Sequence, residues 1–204
     1  MWAQVDNNSV TKVYTRPTAF SIGDNNYPAN TMSLWPEADL NALDIWEVVE
    51  DRTNFKNEEY YINTDVTYTY NSGTGKVDAT WGTATAKAIA DTTWTQKQID
   101  DGDAPAGATT STVAVEGLKT IKKELIDRQC AGLLQDSDWR VTKQEETGSA
   151  MDSGWKTWRA SVRTKCNSMQ AQIDGAANVD ALAALYEYTG EPATRPLGEF
   201  PVKE

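Results

Sequence analysis

The sequence predicts an α+β protein: a small antiparallel β domain at residues 1–104, a helical hairpin domain at 105–190 and an extended tail at 191–204. Two patterns support this prediction. Over the first hundred residues, apolar and polar side chains alternate along short runs, which is typical of strands with one buried face. Beyond residue 110 the apolar residues recur every three or four positions, which is typical of amphipathic helices. The acidic segment 100–107, which contains Gly and Pro, separates the two patterns and predicts a linker.

Two β-hairpins stand out in the first part of the chain. Trp2–Val5 and Val10–Tyr14 are β-type runs on either side of a four-residue turn sequence. Val66–Tyr70 and Val77–Trp81 alternate strictly and flank a loop that contains two glycines. With the segments between them, they predict an antiparallel sheet of five to seven strands covered by one helix.

The connecting segments give weaker signals. Ala19–Ile22 predicts a short strand that ends at the turn sequence 23–26. Pro36–Leu43 predicts a helix, because proline suits a first helical position and acidic residues follow in the first turn. Ile45–Val49 predicts another strand, and Thr95 is a good N-cap for one helical turn before the linker.

Apolar stripes predict two long helices that pack as an antiparallel hairpin. The stripe of the first helix consists of Leu118, Ile121, Leu125, Ile126, Cys130 and Leu133. The stripe of the second consists of Trp155, Trp158, Val162, Cys166, Met169 and Ile173. Asn178 predicts the start of a last short helix.

Charge and composition exclude several kinds of partner. The net charge is −11, and residues 1–104 carry 7 Lys/Arg against 16 Asp/Glu, so we expect no nucleic-acid binding. No run approaches the ~20 apolar residues of a membrane span, and the first residues lack a signal-peptide pattern, so we expect no membrane association. Eight tryptophans are many for 204 residues and predict aromatic cores and interfaces.

Few residues suit catalysis or metal binding. The chain has no His, which removes the usual nucleophile–base pairs and the commonest transition-metal ligand. Ser72–Lys76 lacks the first Gly and the final Ser/Thr of a phosphate loop, and the cluster Asp100–Asp103 lacks the ligand spacing of a calcium loop. We therefore expect no enzyme activity, no cofactor and no metal site; a carboxylate-dependent glycan hydrolase is a remote alternative. Whether Cys130 and Cys166 pair is left open by the sequence.

The helical region contains the best candidate for a binding surface. Basic side chains share a helix with the tryptophan stripe, and the mixture is typical either of a solvated face or of a dock for an acidic partner. The candidate partner-binding residues are Trp139, Trp155, Trp158, Arg159 and Arg163.

A two-part signature in the same region carries a family resemblance. Leu133–Trp139 reads as the end of one helix, then Asp and Ser caps, then a new helix that opens on Trp, and Trp158–Arg163 follows about twenty residues later. This combination resembles the C-terminal region of bacteriophage tail and tail-fibre assembly proteins. Other segments resemble proteins of marine tailed phages that infect cyanobacteria: Met1–Ala3, Thr15–Pro17, Tyr60–Thr64, Gly82–Ala88, Trp94–Lys97, Glu116–Lys119, Asp174–Ala177 and Arg195–Pro201.

The resemblance implies a non-enzymatic virion protein of the tail, neck or fibre apparatus. Its implied partners are other virion proteins and further copies of itself, and its implied location is the virion, with the host cytoplasm during assembly. A tail-fibre assembly chaperone that is absent from the mature virion is the alternative. Two residues depart from the chaperone pattern: Trp158 replaces a Tyr, and the chain closes on Gly198–Pro201 rather than on Trp-Pro.

Overall fold

The chain has the predicted α+β fold, with strands first and a helical hairpin after them. The computed structural model describes residues 1–203. The chain forms two compact units, Met1–Thr85 and Ala86–Glu204. The division of the chain into 1–104, 105–190 and 191–204 stays a prediction.

The first unit contains eight strands and two short helices. In chain order they are β1 (Trp2–Asp6), β2 (Ser9–Tyr14), β3 (Phe20–Ile22), β4 (Asn25–Tyr27), α1 (Thr31–Leu34), α2 (Glu37–Asn41), β5 (Ile45–Asp51), β6 (Tyr61–Ile62), β7 (Val66–Asn71) and β8 (Lys76–Trp81).

Five of these strands form one sheet in the order β2-β1-β5-β8-β7. Both predicted hairpins, β1–β2 and β7–β8, are confirmed as antiparallel pairs. The expectation of a wholly antiparallel sheet is wrong at one place, because β5 pairs with β8 in parallel and aligns Val48 with Val77. The strand that follows β5 along the sheet is therefore β8, while β7 occupies the edge beyond it. Local alternation specifies a hairpin but not which of its two strands meets the rest of the sheet.

Two apolar clusters form the core of the first unit. One lies on the five-stranded sheet and consists of Ala3, Val5, Val48, Val77 and Ala79. The other consists of Tyr14, Phe20, Met32, Leu40 and Ile45, so it includes residues of both short helices. The predicted helix at 36–43 is α2, which Pro36 precedes as the N-cap residue.

The second unit begins with short strands and continues with helices. Its elements are β9 (Thr85–Ala86), which spans the junction of the units, β10 (Thr92–Thr93), α3 (Gln96–Asp100), β11 (Val113–Val115), α4 (Leu118–Gln135), α5 (Asp138–Thr147), α6 (Ser153–Gly175) and α7 (Val179–Ala184). Thr95 caps α3 in a capping box with Gln98, as its sequence predicts.

The preceding chain caps the start of α4. The Gly117 N–H donates to the Asp91 carboxylate (2.7 Å), and the Leu118 N–H donates to the Ala88 carbonyl (2.9 Å). The Gly117 hydrogen bond is the main reason that the pKa of Asp91 lies below its usual value. A side chain at position 117 would collide with the Ala90 backbone, so this close approach requires glycine.

Helices α4 and α6 pack against each other as the predicted hairpin. The predicted stripe of α6 is buried from Val162 onward, at Val162, Cys166, Met169 and Ile173. The predicted stripe of α4 is partly wrong: its buried row is Leu118, Lys122, Ile126 and Cys130, whereas Ile121 and Leu133 are 43% and 38% exposed. A row with spacing four fits the ridge of a packed helix, and it places a lysine in the interface.

Lys122 can be buried in this interface because its methylene stem and its ammonium group have different surroundings. The residue is only 4% exposed, and its Nζ lies 4.3 Å from the ring centroid of Tyr186. The methylene stem therefore replaces the expected aliphatic residue, while the ammonium group rests on an aromatic face.

The two cysteines lie in the same helical interface as buried free thiols. Cys166 Sγ donates to the Asp127 carboxylate at 3.6 Å. Burial, together with hydrogen bonding to Cys130 and the nearby Asp127 charge, raises the pKa of the Cys166 thiol to about 12.

The C-terminal segment is held against the helices. Leu197 is fully buried, its N–H donates to the Leu185 carbonyl (3.0 Å), and its own carbonyl accepts from Lys165 Nζ (2.8 Å). Trp158 Nε1 donates to the Pro201 carbonyl (3.0 Å). The segment 197–201 is therefore part of the helical unit.

We expect Met169→Ala to lower the free energy of unfolding by about 2–5 kcal/mol, because Met169 is fully buried between the helices and truncation leaves a cavity. Ile121→Ala is the matched control on the exposed face of α4 and should change stability by no more than about 0.5 kcal/mol. Urea titration followed by circular dichroism measures both. A larger loss for Ile121→Ala than for Met169→Ala would contradict the packing of the hairpin.

Candidate functional site

A buried arginine joins the two halves of the signature. Arg159, on α6, is 4% exposed, and its Nη1 donates to the Leu134 carbonyl (2.9 Å) and to the Ser137 hydroxyl. Its Nη2 donates to the Asp138 carboxylate at 2.7 Å. Ser137 is itself fully buried and donates to the Leu134 carbonyl (2.9 Å). The guanidinium thus binds the corner between α4 and α5 at three oxygen atoms.

This geometry corrects the expected role of Ser137. The sequence predicts a side-chain cap for the helix that opens on Trp139. Ser137 does occupy the N-cap position of α5, but its hydroxyl makes no hydrogen bond to that helix. The hydroxyl instead connects Arg159 to the end of α4. Serine serves here because it is small enough to be buried and both accepts and donates.

An aromatic stack lies beside this corner. We use that name for Trp139, Arg140, Trp155, Trp158 and Lys203. The Arg140 guanidinium lies 4.6 Å from the Trp139 ring centroid and 4.5 Å from that of Trp155. Trp155 meets Trp158 edge to face with centroids 5.6 Å apart, and Lys203 Nζ lies 5.3 Å from the Trp155 ring. Indole rings and cations alternate from Trp139 through Arg140 and Trp155 to Lys203, while Trp158 packs directly on Trp155. Both kinds of contact are favourable.

The outer end of the stack is open to solvent. Trp139 is 54% exposed, while Trp155 and Trp158 are half-buried. Trp is enriched among the residues that contribute most of the binding energy at protein interfaces. The stack offers such a surface without needing to reorganise.

A small basic pocket lies between α5 and α6. Its volume is about 210 Å³, and its lining residues are Val141, Gln144, Met151, Lys156, Arg159 and Arg163. Within residues 1–203, Lys156 and Arg163 have no ion-pair partner, whereas Arg159 is bound to Asp138. The pocket is smaller than the roughly 300–1,000 Å³ of typical small-molecule sites. Its size and charge fit a carboxylate side chain.

The structure brings all five predicted binding residues into one region, in different roles. Trp139 and Arg163 are exposed, Trp155 and Trp158 are half-buried, and Arg159 is buried with its polar atoms directed at the chain itself. That these residues bind a partner stays a prediction.

Arg140 is the residue that sequence reasoning missed. It follows Trp139 directly, but Trp155 reaches it only across the turn between α5 and α6. The adjacent pair Trp139-Arg140 is the one sequence feature that could have indicated a cation beside an indole ring.

Comparison with known proteins gives no match, whether with family models, with curated proteins or with solved structures. Within residues 1–203, no group of three or more Cys, Asp or Glu side chains is placed to hold a metal ion. In the same part of the chain, no helix has the length and apolar character needed to cross a membrane.

We expect Arg159→Ala to lower the free energy of unfolding by about 2–4 kcal/mol, because it removes the hydrogen bonds to Leu134 and Asp138 and leaves the buried Ser137 hydroxyl oxygen without its donor. Arg159→Lys should recover little of this loss, since one ammonium cannot reproduce the planar fork. Arg163→Ala, the exposed control one helical turn away, should stay within about 0.5 kcal/mol of the wild type. Chemical denaturation distinguishes these outcomes, and equal effects at both positions would refute the structural role of Arg159.

Proposed function

We propose that this protein is a non-enzymatic structural component of a phage virion, in the tail, neck or fibre apparatus, and that it acts by binding other virion proteins. The observation that carries the proposal is the aromatic stack, with Trp139 exposed at its open end and Arg140 fixed between two indole rings. Trp and Arg are the residues that dominate binding energy at protein interfaces. The resemblance of many segments to marine phage proteins supplies the biological setting.

The charge distribution supports a partner with an acidic surface. The whole chain carries a net charge of −11, so an acidic partner is repelled by most of it. Lys156 and Arg163 form an exception beside the stack, because neither has an ion-pair partner within residues 1–203. A carboxylate directed into this pocket would orient the partner and place its apolar surface on Trp139.

The setting implied by the resemblance also defines location and assembly. We propose that the protein is present in host cytoplasm during assembly and in the virion afterwards. Virion substructures are built from repeated subunits, so further copies of this chain are proposed neighbours. Catalysis, cofactors, nucleic acid and membranes have no part in this proposal.

A tail-fibre assembly chaperone is the second candidate, and one observation favours it. The signature that resembles those chaperones, Leu133–Trp139 with Trp158–Arg163, is held together by Arg159 as one structural unit. A corner that is held by three hydrogen bonds suits transient binding as well as permanent binding.

Mass spectrometry of purified particles separates the two candidates. A structural protein is expected in every particle at a fixed copy number relative to the major tail proteins. A chaperone is expected in infected-cell lysate and absent from particles. Absence from particles would therefore overturn the structural proposal in favour of the chaperone.

The surface itself is tested by Trp139→Ala. Because Trp139 is 54% exposed, we expect stability to stay close to wild type while incorporation into particles falls by roughly tenfold or more. Val115→Ala is the matched control, since Val115 is 60% exposed and lies in the same unit outside the stack. Complementation of a deletion phage, followed by quantification in particles, gives the result. Normal incorporation of Trp139→Ala would show that the stack is not part of the binding surface.

A further inference from the structure

A second pocket lies in the first unit, where β4 leads into α1. Its volume is about 370 Å³, and it is lined by Asn26, Tyr27, Pro28, Asn30, Thr31, Leu34 and Trp35. This volume falls within the range of roughly 300–1,000 Å³ that small-molecule sites occupy. None of the residues named in the proposal above lines it.

Aromatic rings form one wall of this α1 pocket. Phe20 stacks on Tyr27 with centroids 5.0 Å apart, and Tyr27 meets Trp35 edge to face at 5.9 Å. The Phe20 ring thus holds Tyr27 in place, while Trp35 remains 43% exposed. The exposed indole provides a rigid, apolar platform.

Polar groups without partners line the rest of the pocket. Thr31 is only 3% exposed, yet its hydroxyl makes no hydrogen bond within residues 1–203. Asn30 occupies the N-cap position of α1, but its side chain makes no capping bond. Asn26 accepts from the Ser21 hydroxyl at 2.6 Å, which leaves its amide NH₂ available. The Thr31 hydroxyl is reached from the pocket, so it is free to pair with a ligand or with water there.

The pocket is also electrically neutral. None of its seven lining residues is charged, although 24% of the chain is. An ionic ligand would find no counter-charge there. An apolar side chain would leave the Thr31 hydroxyl and the two amides unpaired, which costs free energy. A ligand that complements both the aromatic wall and the polar groups is uncharged, has an apolar face and carries several hydroxyl groups.

We propose that the α1 pocket binds a neutral saccharide, with the C–H face of one sugar ring on the Trp35 indole and hydroxyls paired with Asn26, Asn30 and Thr31. Hydrolysis has no place in this proposal, because it uses a pair of carboxylates and none lines the pocket. The proposal is independent of the virion role, since it concerns different residues in the other unit.

The test uses the full chain and a panel of D-glucose, D-galactose, N-acetyl-D-glucosamine and maltotriose. Saturation-transfer NMR identifies which of them binds, and isothermal titration calorimetry measures the affinity. We expect saturable binding of at least one member. Trp35→Ala should weaken it by roughly tenfold. Thr31→Val keeps the side-chain shape and should weaken it by about two- to tenfold through the lost hydroxyl alone.

Ile62→Ala is the matched control, an exposed apolar side chain of the same unit outside the pocket, and it should bind the sugar as the wild type does. Urea titration of each variant verifies that it folds, and Leu34→Ser replaces Trp35→Ala if the latter does not, because Leu34 is 73% exposed at the pocket rim. Absence of saturable binding across the panel, or equal affinity of wild type, Trp35→Ala and Thr31→Val, would overturn the proposal. Loss of particle incorporation by Trp35→Ala without any sugar binding would identify the pocket as a protein interface instead.

Discussion

The proposed binding surface of the helical unit depends on one buried guanidinium, that of Arg159. A cation removed from water is costly unless its donors are matched by acceptors. Arg159 meets that condition because Leu134, Ser137 and Asp138 present three oxygen atoms in a narrow arc at the end of α4. Asp138 is itself well exposed, so the pair retains part of its solvation. The direction of α5 follows from these contacts, since its N-cap residue Ser137 and its first residue Asp138 are both bound to α6.

That direction determines what the surface presents. Trp139 and Arg140 come immediately after Asp138, so any change of the corner moves the outer half of the stack away from Trp155. The inner half depends on the C-terminal segment, through the hydrogen bond of Trp158 to Pro201 and the cation of Lys203 over Trp155. Three stretches far apart in sequence therefore build one rigid patch. Rigidity matters because an interface side chain that is already fixed loses less entropy on binding.

The sequence predicts a structural feature well where that feature depends on neighbouring residues, and poorly where it depends on contacts made by tertiary folding. The hairpins β1–β2 and β7–β8 follow from alternation and short turns, and the α6 seam from Val162 to Ile173 follows from its period. The parallel pairing of β5 with β8 depends on which edge of a hairpin faces the sheet, and no short window encodes this. The burial of Lys122 and Arg159 could not be predicted for a related reason. Their charges predict exposure, and only partners brought by tertiary folding, the Tyr186 ring and the α4–α5 corner, make burial possible.

Both candidate surfaces contain an exposed tryptophan, Trp139 or Trp35. Each places an indole on a short element that is fixed by a neighbour: Trp139 follows a corner bound by Arg159, and Trp35 follows α1, whose Met32 is buried in the core. The surroundings then decide the ligand chemistry. Beside Trp139 lie Arg140, Lys143 and the basic pocket, so acidic polypeptide is favoured. Beside Trp35 lie amides and hydroxyls without a single charge, so a neutral hydroxylated ligand is favoured. An exposed aromatic ring supplies affinity at both places, and the polar groups around it supply the selectivity.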